Sequence, residues 1–425
     1  MRDQNKGLVV PFISVTTLFF AWGFITATID PLIPSVRAIF SLCYTESMLT
    51  QFAFFMAYGV VSLPGAALVA RIGYGRSIVL ALAAMIVGCL VIPLATHLGT
   101  YELVLVALFI IASGITVLQV AANPLAAALG PQNRSHLRLL FAQAFNSLGT
   151  VIAPYLGAVV MLTGGIFAAQ QAGGDEATRR AESLRSIDTA FFIIVGMIVL
   201  LTVLILVFRK RMEAAAPALA AGPRTPVLSA LSSRWAVFGA AAIFLYVGAE
   251  VSIGSIMINF LHQKDVLDVS LEQAGKLLSF YWLGAMVGRF IGSGLLISVS
   301  AWRLLTLFAL VAAALCLTVS QVTGDVAAYA ALAIGLFNSI MFPVIFTLTL
   351  ERSTASQAAT SGLLCMAIVG GALLPLLVGQ LADRAGLHAA FLVPMLAYIA
   401  ISLFAFGAGR ARVAAVERAT AGLAH

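Results

Sequence analysis

Long stretches with at most one or two charged residues recur along the chain, and each is apolar on nearly all sides rather than alternating in polarity. A hydrocarbon core about 30 Å thick takes about 20 helical residues to cross. About twelve stretches reach that length: 11–38, 48–70, 77–97, 101–129, 139–163, 187–208, 235–261, 275–299, 303–321, 325–348, 357–381 and 388–408. Strands of a membrane β-barrel would read as segments of about ten residues with alternating polarity. The pattern therefore predicts helices, whose backbone groups are satisfied within each span. The first stretch is too long for a signal-peptide core and lacks a small-residue cleavage site, so it is expected to be retained as the first span.

Composition narrows this to an all-α polytopic membrane protein: 61% of the 425 residues are hydrophobic and 10% are charged, against about 25% charged in a soluble domain. Membrane lipid is thus an expected partner of the whole chain. The net charge of +7 invites a nucleic-acid reading, but the basic residues lie beside span ends, where they set topology. No nucleic-acid partner is expected. With both termini in the cytoplasm, seven of the 24 lysines and arginines fall in outer loops (Arg37, Arg179, Arg180, Arg185, Lys264, Lys276 and Arg384), Arg289 lies within a span, and the other sixteen are cytoplasmic. That excess favours cytoplasmic termini. Cys43, Cys89, Cys316 and Cys365 are scattered without CxxC spacing and read as small apolar residues, with neither a metal site nor a disulfide framework.

Six spans precede the polar segment "RKRMEAAAPALAAGPRTP", Arg209 to Pro226, and six follow it. The expected division is a six-helix bundle over 1–208, a cytoplasmic linker over 209–234 and a second six-helix bundle over 235–425. The halves are faintly alike: Gln119 lies five residues before Pro124, and Asn338 five residues before Pro343. Internal repeats of this kind belong to secondary transporters, which bind substrate near the midplane and expose it to each side in turn. The outer segment "AAQQAGGDEATRRAESLRS", Ala168 to Ser186, is expected to be a mobile loop without chemistry.

Polar groups inside spans need a reason, since a carboxylate at mid-membrane is disfavoured by about 2.5–3.5 kcal/mol even on mild scales. Asp30 follows Trp22 and Thr26 at helical spacing on one broad face, and Pro31 then disturbs the helix. Glu250 lies in "FLYVGAEVSIGS", one turn after Tyr246. Removal from water favours the neutral form of an acid, so both residues are candidate proton carriers. The competing reading is a structural bond, for Glu250 an ion pair with Arg289. Gln119 and Asn123 share a helix face in "LQVAANP" while Pro124 loosens the helix. Span five repeats the arrangement with Gln143, Asn146 and Ser147 in "FAQAFNSLG". Amides offer donors and acceptors together, which suits a ligand covered in hydroxyls. With Trp22, Tyr281 and Trp282 available for a sugar's C–H face, and Asn338 in the second half, the set reads as a carbohydrate site. The competing reading is that these amides hold helices together and that the aromatics merely pack.

The stretches "FFAWGFITATIDPLIP", "LQVAANPLAAALGP", "RLLFAQAFNSLG", "YVGAEVSIGS", "GLFNSIMFPVIFTLTLE" and "SGLLCMAIVGGALLPLLVGQLAD" together resemble the major facilitator superfamily. Within it they resemble the fucose–proton symporter family and its glucose/galactose branch, over nearly the whole chain. The resemblance implies twelve helices in two six-helix bundles around a sugar cavity, hexose uptake driven by a proton gradient, and Asp30 as the essential proton-linked carboxylate. The protein is expected to lie in the bacterial inner membrane as a multi-pass protein and to work as a monomer. In the fucose symporter proper, the position of Gln119 is a Glu and that of Glu250 a Gln, so this sequence has exchanged the two. Glutamine cannot titrate, and the exchange argues for the glucose/galactose branch.

Two other transport readings stand beside this one: sodium coupling, since carboxylate and amide oxygens also suit sodium, and efflux of another small molecule on the same fold. No HExxH, no GxSxG in a usable context and no paired His/Cys ligand set is present, so neither an enzyme nor a cofactor is expected. A sugar receptor is disfavoured because the tail after about Ala408 is too short for a signalling domain.

Overall fold

The computed structural model describes residues 2–128, 135–163, 176–215, 227–296, 298–355 and 357–411. Among the described residues there are helices and no strands. The first seven helices are α1 (Arg2–Ala27), α2 (Ile29–Phe40), α3 (Tyr44–Ile72), α4 (Tyr74–Leu98), α5 (Tyr101–Ala128), α6 (Ser135–Met161) and α7 (Glu176–Ala215). A 3-10 helix, Val227–Ser232, precedes α8 (Arg234–Leu261), α9 (Leu271–Leu295), α10 (Ala301–Gln321), α11 (Gly324–Asn338), α12 (Met341–Arg352) and α13 (Gln357–Met366). After a short 3-10 turn, Ala367–Val369, come α14 (Gly370–Ala390) and α15 (Leu392–Arg410).

Among the described residues, eleven spans are long and apolar enough to cross a membrane. Helix α9, outside that set, has 25 residues. It is long enough as well, but Lys276, Arg289 and its small polar residues dilute its apolarity. The span Ala181–Lys210 shows what the surface is built for. It has the highest mean hydropathy, 3.3, and the smallest buried share, 28%, so its apolar side chains face outward, where only a hydrocarbon solvent suits them.

Besides the 3-10 turn between α13 and α14, two spans are interrupted, each just before a proline. Pro31 has no N–H to give the Ala27 carbonyl, and α1 yields to α2 at Thr28, whose Oγ1 donates back to the Phe24 carbonyl at 2.8 Å. Pro343 does the same to the Ser339 carbonyl, and α11 yields to α12 across Ser339 and Ile340. The expected loosening at Pro124 differs: α5 runs on as helix to Ala128. One missing bond near a helix end is tolerated where the rest of the ladder persists. The joint between the last two spans is hidden inside α14, where Gly386 takes φ 85, a conformation that glycine adopts at no steric cost.

The segment expected as an outer loop, 168–186, lies outside the described residues up to 175. From Glu176 it forms the first turns of α7, because its alanine, glutamate and arginine residues are good helix formers. Of the expected linker, 209–215 continues α7 and 216–226 lies outside the described residues.

The chain divides into two compact units. Unit 1 holds Met1–Ala221 and Val269–Trp282, and unit 2 holds Gly222–Asp268 and Leu283–His425. Each unit has a seam where two helices meet backbone to backbone. In unit 1, α1 crosses α6: a Cβ at Gly149 would run into the Phe20 carbonyl oxygen, and one at Gly23 into that of Asn146. In unit 2, α8 crosses α14: a Cβ at Gly370 would run into the Phe244 carbonyl oxygen, and one at Gly248 would stand 2.6 Å from Leu374 Cβ. Small residues let helices approach this closely inside a membrane protein.

Candidate functional site

Asp30 sits in the first turn of α2, immediately after the interruption at Thr28, and is 5% exposed. Trp282, in the part of α9 that belongs to unit 1, donates its indole N–H to Asp30 Oδ2 at 3.1 Å. Tyr281 is fully buried and meets Trp282 edge-on, with centroids 5.1 Å apart. An indole N–H can only donate, so this contact favours a negatively charged or acceptor oxygen on Asp30, against the cost of burying that charge. The sequence offers Trp282 for a sugar's C–H face, and here its polar edge is turned to the acid. Trp22 is 4% exposed and lies against Phe19 at a centroid distance of 4.0 Å.

The amides of unit 1 divide into two kinds. Asn146 donates through Nδ2 to the Phe19 carbonyl at 3.2 Å and fills the space beside Gly23, so it ties α6 to α1. Gln119 donates through Nε2 to the Tyr58 hydroxyl at 3.0 Å, joining α5 to α3. Asn123, one turn further along α5, has a buried Oδ1 with no hydrogen-bond partner among the described residues. A buried acceptor without a donor is costly, and a bound ligand's hydroxyl would satisfy it. Gln143 is partly exposed on α6, and its backbone carbonyl accepts from Ser147 Oγ at 3.2 Å.

Unit 2 carries its own polar cluster. Tyr246 donates its hydroxyl to Glu250 Oε1 at 2.7 Å, one turn along α8. The positive charge of Arg289, on α9, acts on both Glu250 and Tyr246. Asn338, the last residue of α11 before the interruption, is fully buried and donates through Nδ2 to the Tyr398 hydroxyl on α15 at 3.4 Å. Each half of the sequence repeat thus places an amide against a tyrosine hydroxyl, Gln119 with Tyr58 and Asn338 with Tyr398. Sequence reasoning did not single out Tyr58 or Tyr398. The available signal was a tyrosine in an otherwise apolar span, whose hydroxyl must find a partner when buried.

The family model described as the Major Facilitator Superfamily matches residues 12–367. A glucose/galactose transporter of Brucella abortus biovar 1 (strain 9-941) is 44% identical over 407 residues, 95% of this chain and 94% of that protein. The L-fucose-proton symporter of Escherichia coli (strain K12) is 30% identical over 420 residues, 95% of this chain and 94% of that one. Among solved structures, a single-site variant of the E. coli fucose:proton symporter matches with a TM-score of 0.68 at 28% identity, covering 95% of this chain and 99% of that chain. A bacterial homolog of the human lysosomal transporter Spinster matches with a TM-score of 0.72 over 94% of this chain and 96% of that one, but at 13% identity, which speaks to the fold alone. The chain belongs to the Major Facilitator Superfamily, in the group that holds the fucose:proton symporter and the glucose/galactose transporters.

Proposed function

We propose that the protein imports a monosaccharide of the glucose/galactose type by proton symport and alternating access, in a bacterial inner membrane with both termini cytoplasmic. The names of the relatives support the substrate class, and the fucose:proton symporter supports the coupling ion. The observation that carries the reading is Asp30: a carboxylate buried at the break between α1 and α2, facing the indole donor of Trp282. Such an acid is balanced between a charged form held by that hydrogen bond and a neutral form favoured by burial. A small change in its surroundings, such as sugar arriving or water entering from one side, then decides whether it holds a proton.

In unit 1, Trp22, Gln119, Asn123, Gln143, Asn146 and Trp282 are the proposed sugar-binding groups. In unit 2 they are Glu250 and Asn338, with Glu250 a second candidate for the proton. The proposed bundles are 1–208 and 235–425, joined by the linker 209–234, and the monomer is the working unit.

Proteoliposomes test this directly. Galactose or glucose added outside should alkalinise the outer solution, and an inward proton gradient should drive accumulation. Asp30→Asn should abolish accumulation. Uptake that ignores both the pH gradient and Asp30→Asn, or that follows a sodium gradient instead, overturns the proton mechanism.

A further inference from the structure

One end of unit 2 gathers arginines: Arg234 at the start of α8, Arg303 near the start of α10, Arg352 at the end of α12 and Arg410 at the end of α15. Arg352 is engaged internally. It is 6% exposed, and it donates through Nε to the Ala408 carbonyl at 2.6 Å and through Nη1 to the Leu348 carbonyl at 3.1 Å and Glu351 Oε2 at 2.9 Å. The other three are exposed, and among the described residues none of them has a carboxylate within ion-pair distance. Two of them rest on aromatic rings instead. The Arg410 guanidinium stands 4.0 Å from the Phe406 ring and that of Arg303 5.2 Å from the Trp302 ring. Cations laid on rings keep their N–H edges free for an anion.

Beside these arginines, α8 and α15 leave an outward-facing groove of about 340 Å³ lined by apolar residues, with Trp235, Phe238, Leu245, Leu403, Phe404 and Gly407 among its walls. Gly407 forms part of its floor: a Cβ there would meet the Trp235 ring at 3.8 Å, an ordinary contact, so a longer side chain at 407 would occupy the groove. Phe238 and Leu403 on its rim are 53% and 66% exposed. Arg234 directly precedes Trp235, and Arg410 lies one turn beyond Gly407, so both residues belong to the same end of the groove, with the Arg410 guanidinium on the neighbouring Phe406 ring. That is the end the distribution of positive charge assigns to the cytoplasm, where a membrane leaflet carries anionic lipid.

We propose that this groove is a binding site for an anionic phospholipid, with one acyl chain along Trp235, Phe404 and Gly407 and the phosphodiester held by Arg234 and Arg410. An apolar channel alone would accept any lipid tail. The two guanidinium groups at its mouth supply the preference, because the planar fork matches phosphate oxygens. Trp235 sits where an indole prefers to lie, at the boundary between tails and headgroups.

The test compares dioleoyl phosphatidylglycerol with dioleoyl phosphatidylcholine, added in equal amounts to the purified full-length protein in detergent, with thermal unfolding as the readout. Phosphatidylglycerol should raise Tm by several degrees more than phosphatidylcholine does, as expected for a ligand of the native state. The excess should vanish in the double variant Arg234→Gln, Arg410→Gln, and in Gly407→Leu, which fills the groove beneath Trp235. Tm in phosphatidylcholine reports whether each variant still folds; if the double variant does not, the single surface changes Arg234→Gln and Arg410→Gln carry the same comparison. Equal shifts from the two lipids, or an excess that survives in a folded arginine variant, overturn the proposal.

Discussion

Trp282 Nε1 lies 3.1 Å from Asp30 Oδ2, a bond between residues 252 positions apart in the chain. The indole is the donor, so what it stabilises is the oxygen of the acid rather than its proton.

The first prediction concerns that bond. Trp282→Phe keeps an aromatic ring and removes the donor. A hydrogen bond to a charged group contributes about 1.5–3 kcal/mol, and about 1.4 kcal/mol corresponds to one pH unit. Losing a donor to the anion favours the protonated state. The pH profile of proton-driven uptake should therefore move to more alkaline values by about one to two units. Measuring initial uptake across a pH series in both proteins checks it, and an unmoved profile would show that the contact has no part in proton exchange.

Asn123 and Asn146 should behave oppositely. Asn123 Oδ1 is buried without a hydrogen-bond partner among the described residues, so Asn123→Ala breaks no hydrogen bond of this oxygen to them. Sugar affinity should fall about fivefold, from a net hydrogen bond of about 1 kcal/mol, with little change in Tm. Asn146→Ala breaks the bond to Phe19 and opens a gap beside Gly23, so its cost should appear in Tm. Calorimetric titration with galactose and thermal unfolding, done on both variants, separate the two roles.

Glu250 accepts from Tyr246 at 2.7 Å and feels the positive charge of Arg289. As an anion that binds sugar hydroxyls, it should lose about tenfold in affinity on Glu250→Gln while the number of protons carried per sugar stays the same. Tyr246→Phe should shift affinity in the same direction by less, since the carboxylate remains. Loss of coupling with affinity intact would make Glu250 a second proton site.

The seams offer a stability test. Gly370→Ala would drive a methyl into the Phe244 carbonyl oxygen, and Gly149→Ala would drive one into that of Phe20. Overpacking of this kind costs about 1–3 kcal/mol. Both variants should unfold at lower temperature in detergent, whereas Gly196→Ala, which meets nothing within 4 Å, should not.

How much of this was legible in the sequence depends on the range of the interaction. The spans could be read because burying a charge in hydrocarbon is so costly that charges mark their ends. The interruption at Thr28 could be read from Pro31, because proline acts on its own helix; the one at Ser339 has the same cause in Pro343 but was not foreseen. The pairing of Gln119 with Asn338 emerged from the spacing to Pro124 and Pro343. Partners across the fold could not be read in this way. Nothing near Trp282 reveals that its indole turns to Asp30, and nothing in "FFMAYG" or "LAYIAIS" says which amide Tyr58 or Tyr398 will meet. Periodicity assigns a residue to a face, but it does not name the residue opposite. Pro124 shows a related limit: a proline removes one hydrogen bond, and whether the helix then ends is decided by its neighbours, which here carry α5 on to Ala128.

The crossing of Gly248 with Gly370 works as a fulcrum. Where backbone packs on backbone with only the Leu374 side chain beside it, there is little to rearrange, and the pair should tilt about the point more readily than slide along it. Groups beside a fulcrum hardly travel, while the far ends of the same levers sweep widely. Glu250, two positions from Gly248, is therefore expected to travel least on its helix, with larger excursions at the ends of α8 and α14.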